Sequence, residues 1–267
     1  WTTPSWDDGK GWTPIGNDVT MFNGSYDGGG HTIDNLFINR PSTDEIGLFG
    51  NTDDATITNT GVTNVDIKGD DRVGGLVGRN VWASDISNCY CTGSVSGTND
   101  YVGGLVGNNG YGSNISNSYS TGSVSGSNDV GGLVGYNTYG SDISNSYSAG
   151  SVSGSNNVGG LIGYSISSFG ATVSNCYSSG DVTRSSGSET YFGGFCGNNN
   201  NTTIEYCYSI GNVFESDGVA WSSGDKGFVG DDNGGSYTNN FFDSEASNQS
   251  SATGATGKTT TEMQTRS

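Results

Sequence analysis

The phrase VGGLVGNNGYGSNISNSYSTGSVSG, from Val102 to Gly126, returns almost unchanged as VGGLVGYNTYGSDISNSYSAGSVSG from Val130 to Gly154. Repetition this faithful restricts a chain to architectures in which every copy meets the next in the same way. The leucine of the phrase and its equivalents are Leu48, Leu76, Leu105, Leu133, Leu161, Phe195 and Phe228. A second phrase, I-x-N-x-Y-x-x-G-x-V, follows each time, starting at Ile57, Ile86, Ile115, Ile143, Val173 and Ile204. Frayed copies at Ile33 to Phe37 and Tyr237 to Phe241 bring the count to about eight.

A period near 28, with short alternating apolar runs between turn residues, predicts an all-β fold: a parallel β-helix (β-solenoid) of about eight rungs. At about 4.8 Å per rung it would stand roughly 40 Å tall. Leu76, Leu105, Leu133 and Leu161 are expected in one buried column, and Ile86, Ile115 and Ile143 in another. In the second phrase Ile, Asn and Tyr stand at i, i+2 and i+4, the spacing of one strand face. Asn88, Asn117, Asn145 and Asn175 should then point inward with Tyr90, Tyr119, Tyr147 and Tyr177. An isolated buried amide costs a few kcal/mol, so these amides are expected to pair rung to rung as a ladder. Ser116, Ser118, Ser120 and Ser144, Ser146, Ser148 would form outward hydroxyl rows. Paired glycines such as Gly131 and Gly132 permit tight corners and close backbone approach.

Residues 1–32 read as a lead-in and cap, with Trp1, Trp6 and Trp12 covering the end of the core. Residues 33–243 are the solenoid, closed by Phe241 and Phe242. The polar stretch 244–267 lacks the repeat and reads as a linker or partial cap. Glycine contributes 47 residues and proline 3, without a G-X-Y period, which excludes collagen. Charged residues are 13% of the chain, too few for charge-driven disorder. The net charge of −18 repels phosphate backbones and anionic lipids, excluding nucleic acid as a partner. No apolar run reaches the roughly 20 residues that span a bilayer, so this segment is not expected to insert directly. The chain opens at Trp1 and not Met, which reads as a piece of a longer exported protein.

Chemistry-bearing residues are sparse. His31 is the one histidine and is expected to be structural. Lys68 to Arg72, with Arg79, gathers charges that nearly cancel, as in a solvated turn. Asp53-Asp54 and Asp231-Asp232 are adjacent carboxylates, which a strand sends to opposite faces. Asp/Asn/Gly clusters at 51–54, 99–100, 128–129 and 231–233 make calcium a candidate ion, without a known calcium-loop pattern. No other cofactor is implied. Trp82 is the best placed aromatic for stacking on a sugar ring. The sequons at Asn23, Asn114, Asn200, Asn201 and Asn248 are candidate glycosylation sites. Five cysteines leave at least one unpaired. Cys176 and Cys207 hold the same repeat position on successive rungs, within the disulfide range of roughly 4.4 to 6.8 Å between Cα atoms. If the chain holds a disulfide, it joins these two.

GGLVG followed by ISNSYSTGSVSG resembles the GLUG-motif repeat of bacterial and archaeal secreted and surface proteins. The lead-in Trp12-Thr13-Pro14-Ile15-Gly16 and the exit Phe242-Asp243-Ser244-Glu245 resemble that family's flanks. The resemblance implies a scaffold found in adhesins, peptidases and other surface proteins, and it supplies no catalytic residues. The expected function is a non-enzymatic extracellular structural or adhesive module: an adhesin stalk, surface-layer component or filament subunit. Its partners would be other surface chains, glycans or further copies of itself. A polysaccharide-binding or polysaccharide-degrading β-helix is the alternative, and an ice-binding solenoid using the Ser rows is a third reading.

Overall fold

The computed structural model describes residues 6–187, 191–216, 219–220 and 226–265. Trp1, one of the three tryptophans expected to cover the end of the core, lies outside the described residues. One coil of the molecule runs through strands Asp100–Gly103, Val106–Asn109, Asn114–Ser116, Tyr119–Ser120 and Ser123–Ser125. Each strand pairs in parallel with its copies above and below: Val106 with Val77 and Val134, Ile115 with Ile86 and Ile143, Val124 with Val95 and Val152. The result is a parallel β-solenoid with almost no helix. Its Leu-Val-Gly strands form a seven-stranded sheet, its Val-Gly strands a five-stranded sheet, and the second phrase a broad third sheet.

Stacking explains the fidelity of the repeat. Leu48, Leu76, Leu105, Leu133, Leu161, Phe195 and Phe228 are all buried in one column, and Ile57, Ile86, Ile115, Ile143, Val173 and Ile204 in another. A side chain in such a column touches its own copies, so a change of shape in one coil is felt in three. The glycines are fixed by contact and not by turn geometry. A Cβ on Gly132 would lie 2.1 Å from Ser148 Oγ and 2.2 Å from the Gly160 carbonyl oxygen.

The corners of the coil belong to other residues. Asn59, Asn88, Asn117, Asn145 and Asn175 have φ between 48° and 54°, the left-handed region that asparagine tolerates better than most. This overturns the inward amide ladder expected of these asparagines. A left-handed residue interrupts the strand and resets its alternation. Asn88, Asn117, Asn145 and Asn175 are therefore exposed, and the tyrosine two positions on turns outward and half-buried. Ser118, Ser120, Ser146 and Ser148 turn inward and are buried, so the two outward serine rows do not exist as drawn.

The buried amides sit elsewhere. Asn80 Nδ2 donates to Asn109 Oδ1 at 2.9 Å, and Asn109 Nδ2 to Asn137 Oδ1 at 2.9 Å. Their second protons go to the carbonyls of Ser84, Ser113 and Ser141. Thr52 begins this column by donating to Asn80 Oδ1 at 2.9 Å. A parallel ladder carries backbone donors: Cys89 N–H donates to Ser118 Oγ, and Ser118 N–H to Ser146 Oγ. The amides of these columns are satisfied by the neighbouring coil together with a carbonyl of their own, which is what lets so polar a core stay buried.

The ends differ from expectation in detail. Strand Ser25–Asp34 already pairs with Thr56–Gly69, so a boundary after residue 32 falls inside it. Ile33 pairs with Val62, while Tyr26 takes the Ile57 position. The copy read at Ile33 is thus the later part of the first coil, not a coil of its own. Before it, Ile15 and Phe22 bridge to Phe49 and Thr52, and Trp12 Nε1 donates to the Leu48 carbonyl. At the other end Phe242 is buried, whereas Phe241 is outward and 36% exposed. The polar tail folds back: Thr256–Lys258 pairs with Phe241–Asp243, and the capped helix Thr260–Gln264 follows.

Candidate binding surfaces

The left-handed corners give the solenoid an ordered aromatic exterior. Tyr90, Tyr119, Tyr147, Tyr177 and Tyr208 stack at centroid spacings of 4.7 to 4.9 Å, with ring planes within 5° of parallel. Stacking hides the ring faces and leaves edges and hydroxyls outward. Burial, then the neighbouring tyrosines, push the phenol of Tyr119 up from its ordinary value. A second stack runs along the turn between sheets: Trp82 on Tyr111 at 4.2 Å, and Tyr111 on Tyr139 at 4.6 Å. Trp82 and Tyr139 are 48% and 43% exposed, and Phe169, at the same turn one coil later, is 77% exposed. Trp82 is therefore part of a ridge, a feature that its isolated position in the sequence concealed. A third, more tilted group joins Tyr101, Tyr136 and Tyr164.

Between these stacks the surface is hydrogen-bonding and acidic. Asn114 Nδ2 donates to Asp85 Oδ1 at 3.0 Å, and the Asp142 and Thr172 amides donate to Asn114 and Asp142. Asn88 Nδ2 donates to Asn59 Oδ1 at 3.1 Å, so the corner asparagines pair outside the core where they pair at all.

The chemistry-bearing residues remain scattered. His31 and Lys68 are exposed. Arg72 pairs with Asp44 at 3.2 Å. Arg79 lies 3.7 Å from Glu45 and 3.8 Å from Asp18. Burial, then the hydrogen bond and charge of Asp18, push Glu45 up to about 7 against the pull of Arg79 and Arg72. Asn51 Nδ2 donates to both Glu45 oxygens at 3.1 Å. This cluster pins the lead-in to the first coil. Asp129 is pushed up to about 7 by burial, although Asn157 Nδ2 donates to it at 2.6 Å. Among the described residues no three of His, Cys, Asp and Glu gather as metal ligands.

Cys176 and Cys207 are stacked neighbours, but both thiols are free, as are Cys89, Cys91 and Cys196. The Cys176 amide donates to Cys207 Sγ at 3.4 Å. The Cys207 sulfur thus occupies the backbone-capping role that Ser118 and Ser146 fill on other coils, and the pair conditionally expected as a disulfide stands as two stacked free thiols. Burial, then contact with Cys176, raises the Cys207 thiol far above its ordinary range. Of the sequons, Asn23, Asn114, Asn201 and Asn248 are exposed and Asn200 is half-buried. The buried Asn80, Asn109 and Asn137 were missed, although an amide four residues after Leu76, Leu105 and Leu133 was there to be read.

The fold and these surfaces define a parallel β-solenoid repeat protein with polar ladders in its core. Four stretches in tandem, residues 69–96, 98–125, 126–153 and 154–183, match the family model of the GLUG motif. A stretch of 99 residues, 36% of this chain, is 41% identical to part of halomucin from Haloquadratum walsbyi (strain DSM 16790 / HBSQ001). A stretch of 42 residues, 16% of this chain, is 48% identical to a "Putative Gly-rich membrane protein" of Evansella cellulosilytica. The matches span 1% and 5% of those proteins' own lengths. A crystal structure titled as a "putative immunoglobulin A1 protease" from Bacteroides ovatus shares the fold, with a TM-score of 0.56 and 21% identity. That superposition covers 88% of this chain and 73% of the other.

Proposed function

We propose that this solenoid is a rigid, non-enzymatic segment of a cell-surface or secreted protein. It would hold flanking parts apart and offer its aromatic ridge to other surface chains or glycans. The observation that carries this reading is the parallel coil-to-coil register, which shifts only in the first coils among the described parallel pairings and would make a stiff rod of an otherwise polar, Gly-rich chain. The stretches shared with halomucin and with a protein described as a membrane protein support a surface location. Inward rotation of Ser118, Ser120, Ser146 and Ser148 removes the hydroxyl array on which ice binding rested. The test is to label intact cells of the source organism with antibody raised against this segment, with and without external protease. Protease-sensitive surface labelling is expected. Signal confined to the cytosol of lysed cells would refute the proposal.

A further inference from the structure

The five-tyrosine stack has two ends, and they differ. At its N-terminal end the Tyr90 ring lies on Gly61, where an added Cβ would come within 2.2 Å of Tyr90 Cζ. That face is covered by backbone. At the C-terminal end Phe241 pairs with Tyr208 in strand register, yet no ring contact joins them among the described residues. The stack stops at Tyr208, and the space beyond it is a half-open groove of about 620 Å³ between Tyr208, Phe241 and the C-terminal helix. This volume suits a small ligand or one or two sugar residues.

The polar groups of the groove divide into two sets. Its carboxylates are already engaged: Asp243 accepts from the Glu245 and Ala246 amides and from Thr260 Oγ1, and Glu262 closes the helix capping box. Its donors are not. Lys258 Nζ stands 5.9 Å from the Phe241 ring centre, and it makes no hydrogen bond or salt bridge among the described residues. The Gln264 side-chain amide, also on the groove, is likewise without a hydrogen bond there. Two ring-bearing walls, the flexible Met263 and two uncommitted donors match a ring with an apolar face and hydroxyls at its rim. The net charge of −18 disfavours a polyanion.

We infer that the groove between Tyr208 and Phe241 binds a pyranose unit of a neutral polysaccharide. The sugar would stack at the end of the tyrosine ladder, with its hydroxyls on Lys258 and Gln264. The site goes beyond the scaffold role and does not depend on it. The test is isothermal titration of the full chain with cellohexaose, laminarihexaose, mannohexaose and chitohexaose. Tetragalacturonate and a Trp-containing peptide supply anionic and protein arms. Saturable binding of at least one neutral hexasaccharide is expected. Lys258→Met and Phe241→Ala should each weaken it about tenfold, and the exposed Ser125→Ala should leave it unchanged. Gln264→Ala, at an exposed helical position, gives a third variant that does not touch the core, and unchanged thermal melts would verify folding. The inference is overturned if no neutral hexasaccharide binds, if only tetragalacturonate or the peptide binds, or if binding ignores all three groove variants.

Discussion

Replacing Asn109 by leucine probes the inner ladder directly. Asn109 Nδ2 donates to Asn137 Oδ1 at 2.9 Å and to the Ser113 carbonyl at 3.0 Å, and its own Oδ1 accepts from Asn80. Leucine removes all three bonds. Asn80 keeps its second donor bond to Ser84, but Asn137 Oδ1 and the Ser113 carbonyl lose these donors. Each buried unpaired acceptor costs about 1–3 kcal/mol. Burying leucine in place of an amide returns about 1–2 kcal/mol. Two such acceptors cost about 2–6 kcal/mol, so the net is a loss centred on about 2–3 kcal/mol, although the substitution makes the core more apolar. Urea unfolding followed by circular dichroism measures it, with hydrogen exchange at Asn80 and Asn137 locating the damage. The paired control is Asn117→Gly, at an exposed left-handed corner, which should change stability by less than about 1 kcal/mol. If Asn109→Leu is neutral or stabilising, the interior amide ladder does not bear on stability. If Asn117→Gly costs more than Asn109→Leu, the two rows have been assigned to the wrong faces.

The buried serine column separates bonded from unbonded hydroxyls. Ser178 Oγ donates to the Gly194 carbonyl at 2.6 Å, while Ser148 Oγ has no partner among the described residues. Ser178→Ala should therefore cost about 1 kcal/mol and Ser148→Ala should be neutral or stabilising by a similar amount in chemical denaturation; equal effects would contradict the assignment. Gly132→Ala places a methyl against backbone at 2.2 Å and should cost about 3 kcal/mol or more, read as a lowered melting temperature. Asp129 gives a pH dependence. Burial raises its folded-state pKa from 3.8 to about 7, so between those values the folded chain holds a proton that the unfolded chain has lost. Stability from this group falls as pH rises through that window and is flat above it, by a total on the order of 2–4 kcal/mol. Asp129→Asn keeps the acceptor for Asn157 and should be the more stable form at pH 8, with the gap closing towards pH 4. A gap independent of pH would refute the burial argument.

Much of the fold was legible because a solenoid writes its period into the chain. The Leu and Ile columns needed only alignment of the copies and the rule that stacked positions share an environment. The facing of the second phrase was misread because i, i+2, i+4 alternation holds only along an uninterrupted strand. One left-handed residue at Asn117 exchanges inside for outside for Ser118, Tyr119 and Ser120, and asparagine in a turn-rich sequence does not announce which conformation it takes. The buried amides Asn80, Asn109 and Asn137 belong to a different strand, the one that follows the repeat leucine, and were not sought there. The candidate groove was less legible still. Tyr208 looks like any other copy of its column, and its open face exists only because Phe241 fails to stack and the non-repeating tail returns to wall the space. Nothing in the local composition of residues 256–265 marks that return.

The claim on which everything else rests is that coils stack one above another in repeat register. Ser87, Ser116, Ser144, Ser174 and Glu205 form one continuous outward row of paired positions. Four coil spacings of about 4.8 Å put Ser87 and Glu205 about 19 Å apart along the axis. The native cysteines are buried, so nitroxide labels attached to Ser87→Cys with Glu205→Cys report that separation by pulsed electron paramagnetic resonance. A single narrow distribution centred near 20 Å, widened only by the label tethers, is the predicted result. A broad distribution, or one centred beyond roughly 35 Å, would contradict the stacked solenoid.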